Sequence, residues 1–113
     1  MIARDISALN IPADVKADIT FVMDRLLEKF EPQILKIILY GSYAKDEYQP
    51  DSDIDIAVVL RILPERKERR AYSQVVDMER DIDLLFCTMD QLDSNSMVYE
   101  SINEQGVLLY EQL

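Results

Sequence analysis

The sequence predicts an α/β (α+β) domain, a small mixed sheet of three to four strands with helices packed on it. Three observations carry this. Residues 10–31 place apolar side chains at three- and four-residue spacing, the mark of one buried helix face. Four short apolar runs, at 34–40, 53–60, 81–87 and 107–110, are set off by turn residues and read as strands. The two patterns alternate along 113 residues with no linker, repeat or low-complexity segment, so residues 1–113 are expected to form a single domain.

Each element has its own signals. In the first helix Ile11, Val15, Ile19, Val22, Met23, Leu26, Leu27 and Phe30 supply the buried stripe, Asn10 is the expected cap, Pro12 is tolerated in the first turn and Pro32 ends it. The run 34–40 is rich in β-branched residues and lies between Pro32 and Gly41, as a buried strand would. Residues 43–47 are expected to form a short helical turn, and Gln49-Pro50-Asp51-Ser52 is loop chemistry. In the strand 53–60, alternation puts Asp53, Asp55, Ala57 and Val59 on one face and Ile54, Ile56, Val58 and Leu60 on the other. Pro64 opens a charged helix over 65–78 whose mixed charges read as a solvated face. A strand follows at 81–87, then Thr88 and Gln91 at capping-box spacing. Ser96 is the expected cap of a short helix through 104, buried through Met97 and Ile102 with Val98 and Tyr99. Gly106 breaks it before the last strand, 107–110.

Composition narrows the chemistry. Twelve basic and twenty-two acidic residues with no histidine give a formal charge of −10, a field that repels nucleic acid and acidic membrane surfaces. Direct nucleic-acid binding is therefore disfavoured, and a metal cation or a basic protein partner fits better. Cys87 is the sole cysteine, so there is neither an intramolecular disulfide nor a Cys/His cluster for zinc. Any metal must be held by oxygen. No apolar stretch approaches the roughly 20 residues of a membrane span, and the amino terminus lacks an export signal, so a cytoplasmic protein is expected.

The most informative stretch is Tyr40-Gly41-Ser42 followed, after ten residues, by Asp53-Ile54-Asp55. On a strand, Asp53 and Asp55 project to one side about 7 Å apart. Two carboxylates that close repel unless one is protonated or a cation lies between them, and a hard divalent ion such as Mg²⁺ satisfies both. Asp81 and Asp83 repeat the alternation on the next strand, and either could join the cluster. Asp83 sits inside an apolar run, where an unpaired buried carboxylate would be expensive, so a metal role is favoured for it. Glycine lets a phosphate approach the main chain, backbone N–H groups at the start of a helical turn favour an anion, and the Ser42 hydroxyl adds a donor. Tyr43 or Lys45 could reach a polyphosphate tail. The spacing is not that of a P-loop, which requires a second glycine followed by Lys and Ser or Thr.

The segment from Gly41 through Ser42, Tyr43, Ala44, Lys45, Asp46 and on to Ser52-Asp53-Ile54-Asp55 resembles the signature of the minimal nucleotidyltransferases of the polymerase-β-like superfamily. The resemblance extends over nearly the whole chain, including Ile82-Asp83-Leu84-Leu85 and the closing residues 102–111. It implies the nucleotidyltransferase fold and two-metal nucleotidyl transfer. Asp53, Asp55 and Asp83 would be the catalytic residues holding two Mg²⁺ ions, with Asp83 also helping to deprotonate the acceptor. Gly41 and Ser42, with Tyr43 and Lys45, would bind the nucleotide, ATP. Members commonly carry a basic residue followed by Gly where this chain has Lys45-Asp46, which keeps the cation and adds a negative charge.

Many members are antitoxins paired with HEPN-family RNase toxins. The resemblance therefore implies an MntA-type antitoxin, a protein adenylyltransferase that moves AMP from ATP to a tyrosine hydroxyl of a cognate HEPN toxin and releases pyrophosphate. Two other readings stand beside it: neutralisation by binding alone, and nucleotidyl transfer to a small molecule such as an aminoglycoside. Met97, Tyr99 and Leu113 are candidate partner contacts should they be exposed.

Overall fold

The computed structural model describes residues 2–3, 6–94 and 96–112. In chain order its elements are β1 (Ile2–Ala3), α1 (Ala13–Phe30), β2 (Ile34–Tyr40), α2 (Ser42–Lys45), β3 (Ile54–Leu60), α3 (Arg66–Val75), β4 (Ile82–Cys87), α4 (Met89–Leu92), α5 (Met97–Gln105) and β5 (Val107–Glu111), with 3-10 turns at Ile6–Ala8 and Glu31–Gln33. The strands form one mixed sheet in the order β1-β5-β2-β3-β4. Among the described residues only β3 and β4 run parallel, with α3 as their crossover; the other pairings are antiparallel. The four longer strands match the expected sheet, and the two-residue β1 is an edge addition too short to leave a periodic signal.

Each face of the sheet has its own apolar layer. Ile54, Ile56, Val58 and Leu60 pack with Val15, Ile19, Val22, Met23 and Leu26 of α1 in the larger cluster. Ala57 and Val59 point the other way, joining Ile38, Cys87, Leu92 and Ile102 beneath the short helices α4 and α5. This is the two-faced alternation expected of β3, now with a core on each side. Asp53 and Asp55 belong to the second face, at the end of the strand where that core gives way to the surface.

Several boundaries shift for local reasons. Asn10 does not cap α1; the N-cap position is Pro12, in an extended conformation at φ −58°, ψ 148°. A proline biases the residue before it away from helix, which keeps Ile11 and the chain behind it outside. The charged helix stops at Val75 rather than 78, after which the chain turns back toward the sheet. Thr88 and Gln91 do form a reciprocal capping box: Gln91 N–H donates to Thr88 Oγ1 at 3.4 Å, and Thr88 N–H to Gln91 Oε1 at 3.0 Å. Ser96 occupies the N-cap position of α5 without a side-chain cap bond. Ile102 is buried as expected, whereas Met97 is 85% exposed. At the first position of a nine-residue helix it overhangs the layer that Ile102 enters. Leu113 lies outside the described residues.

Candidate active site

The carboxylate pair is built by register. Tyr40, the last residue of β2, lies opposite Asp55 on β3, and Asp55 lies beside Asp83 on β4. Three adjacent strands therefore bring Tyr40, Asp55 and Asp83 into one row on one face. Asp53 precedes β3 by one residue, and its side chain is exposed. Asp81 likewise lies just before β4 and is exposed, and its carbonyl accepts the Ile54 N–H at 3.0 Å. It serves as the strand-entry residue, not as part of the row.

Gly41 ends β2 with φ +76°, a conformation that favours glycine. A Cβ there would fall 2.1 Å from Asp55 Oδ2. The bare Cα is thus the space into which the Asp55 carboxylate fits. The sequence suggested glycine for the approach of a phosphate; the structure adds a separate requirement from the acid across the strand.

Asp55 is the strained member. Burial pushes its carboxyl up to about 6, the charges of Asp83 and then Asp53 push in the same direction, and a hydrogen bond shared with Asp83 adds to this. Lys45, exposed at the end of α2, opposes the shift. Such a like-charge group favours either a proton or a cation. Among the described residues no three acids converge tightly enough to make a ready-formed metal cage. The donors nevertheless fit a hard divalent ion: they are all carboxylate oxygens, and the repulsion centred on Asp55 is what a cation would relieve. Asp53, Asp55 and Asp83 are the residues that would hold it.

Asp83 is not buried, despite lying in an apolar run. β4 is an edge strand, so one flank meets solvent, and the argument from burial does not apply to it. Its nearness to Asp55 is what recommends it. Ser42, half-buried, opens α2 directly after Gly41. Tyr43, by contrast, turns inward and is 4% exposed, stacked on Tyr48 with ring centroids 4.8 Å apart. Its hydroxyl donates to the Ser52 carbonyl and accepts from Arg80 Nη1, both at 3.3 Å. It supports the site from below and does not reach toward a polyphosphate tail, because the helical turn that exposes Lys45 rotates Tyr43 into the core.

Tyr40, which carries no site signal of its own in the sequence, also stands in the row. Its phenol is pushed up to about 12 by burial, then by the charges of Asp55, Asp83 and Cys87. It remains a neutral O–H donor throughout the physiological range. The alternation argument applied to β2 as well as β3 would have found it, had the pairing register been known.

Comparison with known proteins identifies the family. Residues 23–112 match the family model described as polymerase beta, nucleotidyltransferase. The chain belongs to that nucleotidyltransferase family. It is 29% identical over 62 residues to a candidate protein adenylyltransferase of Methanocaldococcus jannaschii, a match covering 55% of this chain and 56% of that relative. The match thus spans about half of the relative's length. Among solved structures, a chain of a toxin–antitoxin complex with AMP-PNP superposes with a TM-score of 0.58 at 28% identity, covering 80% of this chain and 72% of that one. A chain of the complex between a tri-AMPylated Shewanella oneidensis HEPN toxin and an MNT antitoxin gives 0.59 at 21% identity, covering 86% and 72%, and shows the shared fold.

Proposed function

We propose that the protein is a Mg²⁺-dependent nucleotidyltransferase that moves AMP from ATP to a tyrosine hydroxyl of a cognate HEPN RNase toxin, and so acts as an antitoxin in the cytoplasm. The observation that carries the reading is the Asp55–Asp83 register beside the Gly41 turn, with Asp53 one alternation away. Family membership supports the reaction class, and the likeness to toxin–antitoxin structures supports the partner.

In the reaction the acceptor oxygen bonds to the α-phosphorus of ATP, the bond to the bridging oxygen of pyrophosphate breaks, and the acceptor proton is lost. Divalent ions, when bound, would stabilise the entering and leaving oxygens of such an in-line displacement. Asp53 and Asp55 would fix the position of the triphosphate. Asp83 would face the acceptor, where its carboxylate draws off the proton. The main-chain N–H groups at the start of α2 and the Ser42 hydroxyl would bind phosphate oxygens, with Lys45 adding a positive charge near them. Tyr40 can donate its O–H within the same row.

Radiolabelled ATP, Mg²⁺ and the cognate HEPN toxin, incubated with the protein, test this directly. The toxin acquires label, and D53N/D55N lowers the rate by about 10³-fold or more, the scale of several kcal/mol of charge stabilisation. Undiminished labelling by the double variant would sink the assignment. Full protection of cells by that variant would instead favour neutralisation by binding alone.

A further inference from the structure

Arg80 lies on the opposite face of the sheet from the carboxylate row and is absorbed by nothing in the reaction above. Its side chain is 17% exposed and its guanidinium uses three nitrogens on three partners. Nε donates to Asp18 Oδ2 at 2.7 Å and Nη2 to Asp14 Oδ2 at 2.8 Å, both on α1. The third, Nη1, reaches the Tyr43 hydroxyl on α2 at 3.3 Å, and that hydroxyl donates to the Ser52 carbonyl.

Asp53 lies between two peptide groups, and residues 80 and 81 hold both of them. The Ser52 carbonyl, in the peptide before Asp53, is held through Tyr43 by the Arg80 side chain. The Ile54 N–H, in the peptide after it, is held by the Asp81 carbonyl. Ser52 is also locked into its turn, accepting the Gln49 N–H at its Oγ at 2.7 Å and donating its own N–H to the Gln49 carbonyl at 3.0 Å. An exposed carboxylate ahead of a strand has little packing to orient it, so these backbone bonds define its direction. An arginine fork anchored on two carboxylates is rigid in a way that a lysine is not.

We propose that Arg80 is a positioning residue of the carboxylate site, fixing the backbone that aims Asp53 by a relay through the Tyr43 hydroxyl to Ser52. This rests on the reading of those carboxylates as metal ligands. A clamp that merely docked α1 would affect stability but not the affinity of a folded protein for a divalent ion.

Mn²⁺ titration followed by electron paramagnetic resonance, without nucleotide, separates the two on the wild type, R80M, R80K, Y43F and R80M/Y43F. Wild type binds Mn²⁺ and D55N does not. R80M weakens binding about five- to tenfold, the scale of one or two lost hydrogen bonds, and R80K restores part of the loss. Y43F, which leaves the α1 clamp intact, also weakens binding, and the double variant is no worse than R80M because both lie on one relay. Should R80M not fold, R80K and Y43F read the same relay. Mn²⁺ affinity unchanged in Y43F and in whichever Arg80 variant folds, with D55N still losing binding, overturns the role of Arg80 alone. Failure of the wild type to bind Mn²⁺ overturns the metal reading beneath it.

Discussion

At Arg80 two carboxylates of α1 face a guanidinium at hydrogen-bond distance; at Asp55 a carboxylate faces other carboxylates. The two clusters lie on opposite faces of the sheet at the same end of β3, and the same residue type behaves oppositely in them. In the first each carboxylate is paired with the guanidinium, and the cluster ties α1 and α2 to the approach to β4. The second carries a repulsion that the fold itself does not relieve, with the proximity of Lys45 as a partial offset. Carboxylates perturbed by burial and like charge cluster at functional sites, whereas paired ones are common in scaffolds. The difference supports reading the Asp55 cluster as the candidate site and the Arg80 cluster as scaffold.

The largest test of this contrast is G41A. The new Cβ would lie 2.1 Å from Asp55 Oδ2 at a residue with φ +76°, so either the acid is displaced or the backbone is strained. A loss of about 2–3 kcal/mol is expected, the usual scale for a non-glycine residue forced into such a region, together with loss of transferase activity. Thermal denaturation and a labelling assay check it, and a fully active, equally stable G41A would remove the steric account.

A chemically identical change at the two clusters should then have opposite signs. The Asp55 pKa is raised from 3.8 to about 6, so the stability tied to its protonated form is fully present below 3.8 and lost as pH rises through about 6. In EDTA at pH 7.5, D55N should therefore stabilise the protein by roughly 1 kcal/mol after allowance for solvent screening, or about 4–8 °C in melting temperature. The gain should vanish near pH 3.5. D18N should instead destabilise by about 1–2 kcal/mol, since it removes a charged acceptor from Arg80. Equal signs for the two variants would erase the contrast.

The smallest expected effect is at Asp46. This residue caps α2 in the left-handed region at φ 61°, ψ 34°, a conformation glycine adopts without cost and Asp tolerates. D46G should raise stability by less than about 1 kcal/mol and tighten nucleotide binding by removing a negative charge near the phosphates. Weaker nucleotide binding in calorimetry would count against placing the triphosphate beside α2.

How much of this was legible in the sequence follows from how local each signal is. The strand 34–40 and the Thr88–Gln91 box are encoded within a few residues and were readable to the residue. The Asp53/Asp55 alternation also lies within one strand. The inward turn of Tyr43 is not legible, because a four-residue helix has too few side chains to show which one faces inward. The exposure of Asp83 is not legible either, because an apolar run does not reveal that its strand lies at the sheet edge. Arg80 gave no signal, since Asp18 and Asp14 lie 62 and 66 residues away. Met97 fits either an inward position or an exposed partner contact in the sequence, because a single apolar residue at a helix start fits either side, and the structure exposes it.

The parallel pairing of β3 with β4 also bears on the order in which the molecule assembles. β2 and β3 are neighbours in sequence, whereas β4 reaches β3 only after the α3 crossover has been laid down. Closing that longer connection is the slower and entropically costlier event. A nascent sheet containing only β2 and β3 holds Asp53 and Asp55 but not Asp83, so much of the electrostatic cost around Asp55 is incurred late, as β4 docks. Divalent ions in the folding medium would thus act on the docking of β4 and leave the earlier pairing of β2 with β3 largely untouched.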